Sequence, residues 1–365
     1  MRKFKAGKLM GVVAVMAVIA YAALAGLTGS MNFDVSVQAQ EAGNVPGRTL
    51  GNMSDSDVWR QVRRGAAGKV SIPDLKSAVL INAEGNTWRA ARNGPISQFG
   101  GWGMLAIIVV ISVFFAVRGQ IKIEGGRSGV SILRFNLIER TAHWIAAISF
   151  VVLALTGLNI LYGRYVFIPV IGQDAFAAIT SVGKFVHDWV GYAFGVGVVM
   201  IIVLWLKDNI PNALDIKWLA KFGGLFSQHP DVPAKKFNAG QKIIYWSVAF
   251  GGISLFATGL SLLFPFEIGL FAKTFLVLNI FGADLPTALS PLQETQLALL
   301  WHSIVALIMT VIMIGHIYIG TVGMEGAFDA MYSGEVDMNW AKEHHSLWVE
   351  ETEGEGGSKT GNPAE

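Results

Sequence analysis

Trp301-His302-Ser-Ile-Val-Ala-Leu-Ile-Met-Thr-Val-Ile-Met-Ile-Gly-His316 is an apolar run closed by a histidine near each end. It lies inside a candidate membrane helix of about 297–320. At about 100° and about 1.5 Å per residue, the two imidazoles fall on nearly the same helix face, about 21 Å apart along the axis. Ionisable side chains within apolar spans are costly and mark function. One helix would thus hold a ligand near each surface of a bilayer.

The rest of the chain fits a membrane setting. Hydrophobic residues make up 53% of the 365, charged residues only 15%, and the mean hydropathy is +0.49. That is too apolar for a soluble domain. The net charge of +2 says little, because placement matters more than the sum. Without cysteine, the chain cannot ligate an iron–sulfur cluster, provide a thiolate to haem iron or attach a c-type haem covalently. A redox cofactor here would need histidine, methionine or oxygen ligands. No phosphate-binding glycine loop, nucleic-acid motif or internal repeat is read from the sequence.

A basic start, Met1-Arg-Lys-Phe-Lys-Ala-Gly-Lys8, precedes an apolar run from Leu9 to about Leu27. This is the pattern of a secretory signal, with a cut expected after Ala39 unless the run persists as an anchor. Residues 40–97 are polar and mixed, and read as a small, partly helical exported segment.

Five membrane helices are expected, at about 99–117, 142–162, 186–206, 243–264 and 297–320, each long enough for a core of about 30 Å. One set of connecting loops carries Arg118, Lys122, Arg127, Arg134, Arg140, Lys207, Lys217, Lys221, Lys235, Lys236 and Lys242. The opposite set carries Arg164, Lys184 and Lys273. The basic set should be cytoplasmic. The N-terminal segment is then periplasmic and the tail from Thr321 cytoplasmic, with a disordered Glu/Gly-rich end from Glu350.

In this topology His143 and His316 lie near the inner face, and His187 and His302 near the outer face. Two pairs at two depths suit two haems stacked across the membrane, each with two axial imidazoles. Such iron has no open site for substrate and is suited to electron transfer. Gly157, Gly191, Gly195 and Gly197 would let a flat ring approach the backbone. A lone membrane histidine can equally bond a neighbouring helix or sit in the interface beside Trp144, Trp189 and Trp301. Four at paired depths favour ligation. A zinc-type site is the weaker rival, since Asp188 is the only acid adjacent to any of the four. His229, His344 and His345 read as solvated residues.

Glu139-Arg-Thr-Ala-His143-Trp144, Phe237-Asn-Ala-Gly-Gln-Lys242, the His302/His316 pair and Trp340-Ala-Lys-Glu-His-His-Ser-Leu-Trp348 resemble the gamma (cytochrome b556-type) subunit of membrane-bound formate dehydrogenases, over roughly residues 133–350. The longer form of that subunit also carries an N-terminal signal and extra span. The resemblance implies an all-α integral membrane protein: a signal sequence (1–39), the exported segment (40–97), an extra transmembrane helix and linker (98–130), a four-helix di-haem cytochrome b bundle (131–320) and a cytoplasmic tail (321–365). It further implies two haem b groups, His143 and His316 holding the inner one and His187 and His302 the outer. Asn238, Gly240 and Gln241 would line a quinone pocket beside the inner haem. Expected partners are an iron–sulfur beta subunit and a molybdenum or tungsten catalytic alpha subunit, so that formate chemistry lies elsewhere and this respiratory-chain subunit of the bacterial inner membrane passes electrons to quinone.

Asn238 and Gln241 can donate hydrogen bonds to a quinone carbonyl, and Gly240 permits a tight turn. The plain alternative is a helix N-cap. Competing functions are a cytochrome b anchor for a nickel–iron hydrogenase or a thiosulfate or polysulfide reductase, or a non-redox anchor or transporter. Transporters tend to place charges at mid-membrane, and no Asp, Glu, Lys or Arg falls in the middle of the four bundle helices.

Overall fold

A computed structural model describes residues 60, 67–69, 79–82, 85–224 and 233–359. The expected signal sequence, His229 and residues 360–365 lie outside the described residues. Two short strands, β1 (Ala67–Lys69) and β2 (Val79–Asn82), pair antiparallel. Helices α1 (Gly85–Ala91) and α2 (Ser97–Arg118) follow, then β3 (Ser131–Leu133). The long helices α3 (Leu137–Val166), α4 (Ile168–Trp205), α6 (Ala239–Leu263) and α8 (Pro291–Tyr318) are interleaved with the short α5 (Ala213–Ala220) and α7 (Phe271–Ile280). The tail holds α9 (Asp329–Tyr332), β4 (Glu335–Asp337), α10 (Met338–His344) and α11 (Ser346–Lys359).

Five helical stretches among the described residues are long and apolar enough to cross a membrane, and at most a third of each apolar window is buried within the protein. The outward apolar surface matches a lipid solvent. Every stretch begins earlier than its apolar run. The first starts at Gly85 and passes a π-type turn at Arg92–Ile96, where Pro95 supplies no backbone donor and Gly94 leaves the helical region. The helix therefore enters what reads in sequence as a polar exported segment, which also holds the β1–β2 hairpin. α4 starts at Ile168, with Pro169 in its first turn and a break at Gly172, where φ is +80°. Hydropathy marks where lipid-compatible residues begin; caps and proline mark where a helix begins.

Reciprocal caps fix several of these starts. Asn136 and Glu139 exchange backbone N–H bonds at α3 (3.0 and 2.9 Å), and Ser290 and Gln293 do so at α8 (3.3 and 2.8 Å). Each exchange satisfies two otherwise free donors. The Glu294 carboxylate accepts from the N–H groups of Leu270, Phe271 and Ala272, closing the N-terminus of α7. Anionic groups are favoured there.

The chain forms two compact units. One comprises Met1–Trp102, Leu161–Phe176 and Ala257–Ile304; the other Gly103–Ile160, Ala177–Phe256 and Val305–Glu365. In the first, the Tyr162 hydroxyl donates to the Ser97 carbonyl at 2.7 Å. The second contains a core of Phe135, Trp205, Phe237, Tyr245, Val336, Trp340 and Trp348 and a further cluster of Phe194, Val198, Leu255, Met309 and Met313. There β3 pairs antiparallel with β4, so the tail is stitched to the entry of α3.

That stitching corrects two sequence expectations. His345 is fully buried, and His344 is largely buried against the Trp340 ring, so neither is a solvated residue. The aromatic residues of the tail motif bring both histidines into the core. The Glu/Gly-rich stretch expected to be disordered is helical as far as Lys359.

Candidate functional site

The helices bring two of the four predicted ligands together directly. His143, in the second turn of α3, and His316, in the last turn of α8, have ring centroids 6.3 Å apart and planes at 60°. Two imidazoles on opposite sides of one metal, each nitrogen about 2.0 Å from it, would have ring centres about 6.4 Å apart. The spacing therefore fits a pair of axial ligands. His143 Nδ1 is buried with no hydrogen-bond partner. Gly320, one turn beyond His316, leaves open room: a Cβ there would meet nothing within 4 Å.

His187 and His302 each have a specific support within their own unit. On α4, the His187 Nδ1 lies 2.8 Å from the Thr156 hydroxyl of α3. A Cβ on the next residue, Gly157, would stand 3.5 Å from the His187 ring. On α8, the His302 Nδ1 lies 2.9 Å from the Thr258 hydroxyl of α6, and a Cβ on Gly259 would stand 3.6 Å from its ring. Gly191, one turn beyond His187, again has nothing within 4 Å. Each ring thus meets a threonine hydroxyl at Nδ1.

Among the described residues no three His, Asp or Glu side chains gather as a metal cluster. Two histidines facing each other from separate helices, as His143 and His316 do, with open room beside Gly320, suit a flat iron macrocycle better than a bare ion. Two of the glycines expected to cradle a ring do something else. A Cβ at Gly195 would lie 2.5 Å from Phe256, and one at Gly197 would lie 2.7 Å from the Ala146 backbone. Both permit close helix packing.

Asn238 and Gln241 form the helix cap that was the plain alternative. The Asn238 N–H donates to Gln241 Oε1 at 3.1 Å, and the Gln241 N–H donates to Asn238 Oδ1 at 3.0 Å. The cap uses the two amide oxygens, so both side-chain NH2 groups keep their donors. The Arg134 guanidinium also reaches Gln241 Oε1, at 3.4 Å, and donates to the Lys236 carbonyl at 2.7 Å. Arg134 is buried among the rings of Phe135, Trp340 and Trp348, each within 5.5 Å. Burial lowers its pKa to about 9, offset in part by Glu139. His345 bonds the Lys235 carbonyl through Nδ1 at 2.7 Å. Burial, with Arg134 nearby, holds His344 down to about 4 and His345 well below the usual imidazole range. A cavity of about 450 Å³ lies beside α5 and α6, lined by Ala239, Lys242, Trp246 and Phe250 among others. By helical periodicity that face is turned away from Gln241.

The supporting threonines expose a signal that a search for histidines passes over. Arg134-Phe-Asn-Leu-Ile-Glu-Arg140 and Lys236-Phe-Asn-Ala-Gly-Gln-Lys242 share one pattern, and at the same spacing follow His143-Trp144 and Tyr245-Trp246, then Thr156-Gly157-Leu158 and Thr258-Gly259-Leu260. The chain does contain an internal repeat, with α3 and α6 as its copies. His187 and His302 then belong to the partner helices α4 and α8, and the residue fourteen beyond each is Ile201 and His316 respectively. The first copy of the α3/α6 pattern carries a histidine where the second carries a tyrosine.

Comparison with known proteins gives a consistent picture. The profile of the prokaryotic cytochrome b561 family matches residues 134–334. The chain is 27% identical over 224 residues to the cytochrome b556(Fdn) subunit of the nitrate-inducible formate dehydrogenase of Escherichia coli strain K12, covering 61% of this chain and 92% of that protein. It is 26% identical over 222 residues to the cytochrome b556(fdo) subunit of formate dehydrogenase from the same strain, covering 60% of this chain and 93% of that protein. A formate dehydrogenase cytochrome b556 subunit of Haemophilus influenzae is 22% identical, with 60% of this chain and 83% of that protein aligned. The matched part begins at the first copy of the repeat, at Arg134.

Proposed function

Because the chain belongs to the prokaryotic cytochrome b561 family, we propose that it is the di-haem cytochrome b subunit of a quinone-reducing formate dehydrogenase, anchoring the complex and carrying electrons between its catalytic part and the membrane quinone pool. The observation that carries the haem assignment is the 6.3 Å approach of His143 and His316 from two separate apolar helices. The formate assignment is supported by the relatives, which are aligned over nearly their full length.

In this reading His143 and His316 hold the inner haem b, and His187 and His302 hold the outer one. A haem with two imidazole ligands exchanges one electron at a time and presents no open coordination site. The protein's own work is to fix four rings on rigid helices and to keep water out of the apolar interior. The NH2 groups of Asn238 and Gln241 would donate to a quinone carbonyl, with Gly240 keeping the turn tight and protons drawn from the cytoplasmic side. An iron–sulfur subunit and a molybdenum or tungsten catalytic subunit would deliver the electrons from the periplasmic side. The loop charges support this orientation, with the tail in the cytoplasm of a bacterial inner-membrane protein.

The test is the purified chain, expressed with ample haem. A reduced-minus-oxidised spectrum with two pyridine haemochrome equivalents per chain is expected, as is co-purification of a molybdenum- or tungsten-containing subunit from native membranes. A colourless protein would leave only the anchoring role.

A further inference from the structure

The kink before α2 and the last turn of α3 meet within the first compact unit. The Tyr162 hydroxyl donates to the Ser97 carbonyl at 2.7 Å, and the Ser97 hydroxyl donates to the Arg92 carbonyl at 2.6 Å. This pins the end of α3 beside the turn at Arg92–Ile96 and brings two cations together. Arg164, in the last turn of α3, lies near enough for its charge to bear on Arg92. Arg92 Nη1 donates to the Asn93 side-chain oxygen at 2.9 Å. Arg164 donates to the Tyr165 hydroxyl and overlies that ring at 4.4 Å. Among the described residues no carboxylate pairs with either arginine. One turn before Arg92 on the same helix face, the Trp88 indole N–H is buried without an acceptor.

Like charges held together without a counter-charge are costly, and so is a buried donor with no acceptor. An anion with several acceptor oxygens relieves all three groups at once. A guanidinium takes phosphate oxygens through paired N–H bonds, and an indole N–H fills a further one. The surroundings select the source of that phosphate. Phe99 and Trp102, in the first two turns of α2, are exposed apolar residues, and so are Phe167 and Val170 just beyond α3. Acyl chains need such a flank and a soluble anion does not. Basic pockets between membrane helices hold lipid headgroups in this way. We propose that Trp88, Arg92 and Arg164 bind the phosphate of an anionic phospholipid where α2 enters the bilayer and α3 leaves it. The site stands apart from the haem and quinone reading. It gives residues 85–102, which lie ahead of the stretch matched by the family profile, a task of their own. They complete a lipid site that Arg164 alone would leave as a single exposed charge.

The experiment is a titration of the purified full-length chain in detergent with phosphatidylglycerol, the bound lipid being counted by native mass spectrometry. Wild type should retain the lipid, and neither phosphatidylcholine nor inorganic phosphate at equal concentration should displace it. Arg92→Gln and Arg164→Gln should each weaken binding about fivefold, and the double variant about thirtyfold. Trp88→Phe keeps the ring, removes the N–H and should cause a smaller loss. Arg89→Gln, at an exposed position on α1, should bind like wild type. Wild type that retains no phosphatidylglycerol overturns the proposal outright. Displacement by inorganic phosphate would assign the site to a soluble anion and overturn the lipid source. Equal binding of phosphatidylcholine, or an equal loss in Arg89→Gln, would reduce the patch to diffuse attraction and overturn it as well. If the arginine variants kept the lipid but lost other subunits on purification from native membranes, the patch would face a protein and the proposal would fall. Arg164 is exposed, so its variant should fold. Should Arg92→Gln not be recovered, Arg164→Gln decides alone, by its loss of binding or the lack of one. None of these arms reads haem content, so failure here leaves the di-haem reading untouched.

Discussion

Helices α3 and α6 are written from one pattern and put to different uses. Both open on a reciprocal cap, Asn136 with Glu139 and Asn238 with Gln241. Both carry a tryptophan whose indole is tied to a backbone carbonyl, and both offer a threonine to a histidine on another helix. The difference lies one residue before each tryptophan. In α3 that residue is His143, facing His316. In α6 it is Tyr245, buried in the core with its hydroxyl donating to the Ile202 carbonyl. One copy keeps an imidazole where the other has a phenol ring. The shared frame holds helices; in the reading proposed above, this departure decides where a cofactor can be held.

The sharpest way to break this comparison is to truncate both departing residues. His143→Ala should halve the haem content, from two equivalents to one, because the lone His316 cannot supply both axial positions. Tyr245→Phe should keep both haems and cost about 1 kcal/mol of stability, the usual worth of one hydroxyl hydrogen bond. Pyridine haemochrome assays on the two purified variants decide it. Equal haem loss in both would mean that the two positions are still functionally alike.

The caps separate next. Glu139 is buried and ion-paired to Lys236 at 2.7 Å, and it also accepts from the Trp205 indole at 2.9 Å. Glu139→Gln removes the charge and leaves Lys236 only Asp208, at 4.0 Å, so it should destabilise the protein by about 3 kcal/mol, seen as earlier thermal unfolding, while quinone turnover per haem holds. Gln241→Leu removes the cap acceptor, at a cost of about 1 kcal/mol, and should lower quinone reduction about tenfold at unchanged haem content. If Gln241→Leu left turnover intact, its amide would be a cap and nothing more.

Much of this architecture was legible beforehand. The five apolar runs come from composition, because lipid permits few ways to satisfy a backbone, and the approach of His143 to His316 follows from their depths along those runs. What sequence alone missed was placed by contacts of another kind. His344 and His345 look polar, and only the packing of Trp340 and Trp348 into the core draws them inside. Helix starts such as Gly85 and Ile168 lie outside the apolar runs, the second with Pro169 in its first turn. The repeat was readable from the start, but its most telling residues are threonine and glycine, which have no chemistry of their own until a histidine stands opposite.

The tail lets the two copies be tested together by pH, since Arg134 of the first pattern and Lys235 beside the second both meet His345. His345 is held neutral by burial, its folded pKa lying well below the usual 6.5. As pH falls through about 6.5 the unfolded tail takes up a proton that the docked one refuses, so docking should weaken on acidification and stay constant above that value. Limited proteolysis between pH 5 and 8 should show this loss, and His345→Gln should flatten the profile.

The smallest effect is the most direct check that α3 and α6 share a frame. Trp144 Nε1 donates to the Met331 carbonyl at 2.9 Å, and Trp246 Nε1 donates to the Asn209 carbonyl at 3.0 Å. Each indole pins a connection to its helix, and each stands one residue after the position where the copies diverge. Replacing either with phenylalanine keeps an aromatic ring and removes one N–H donor, leaving the carbonyl to find another. A loss of about 1 kcal/mol is expected from each. The two losses should be equal within error and additive in the double variant, because the bonds lie on different helices and share no partner. Chemical unfolding in detergent, read by far-UV circular dichroism, would measure them. A much larger loss at Trp144 than at Trp246 would show that the histidine-bearing copy depends on its tryptophan for more than a tether, and the two helices could no longer be treated as one frame with a single departure.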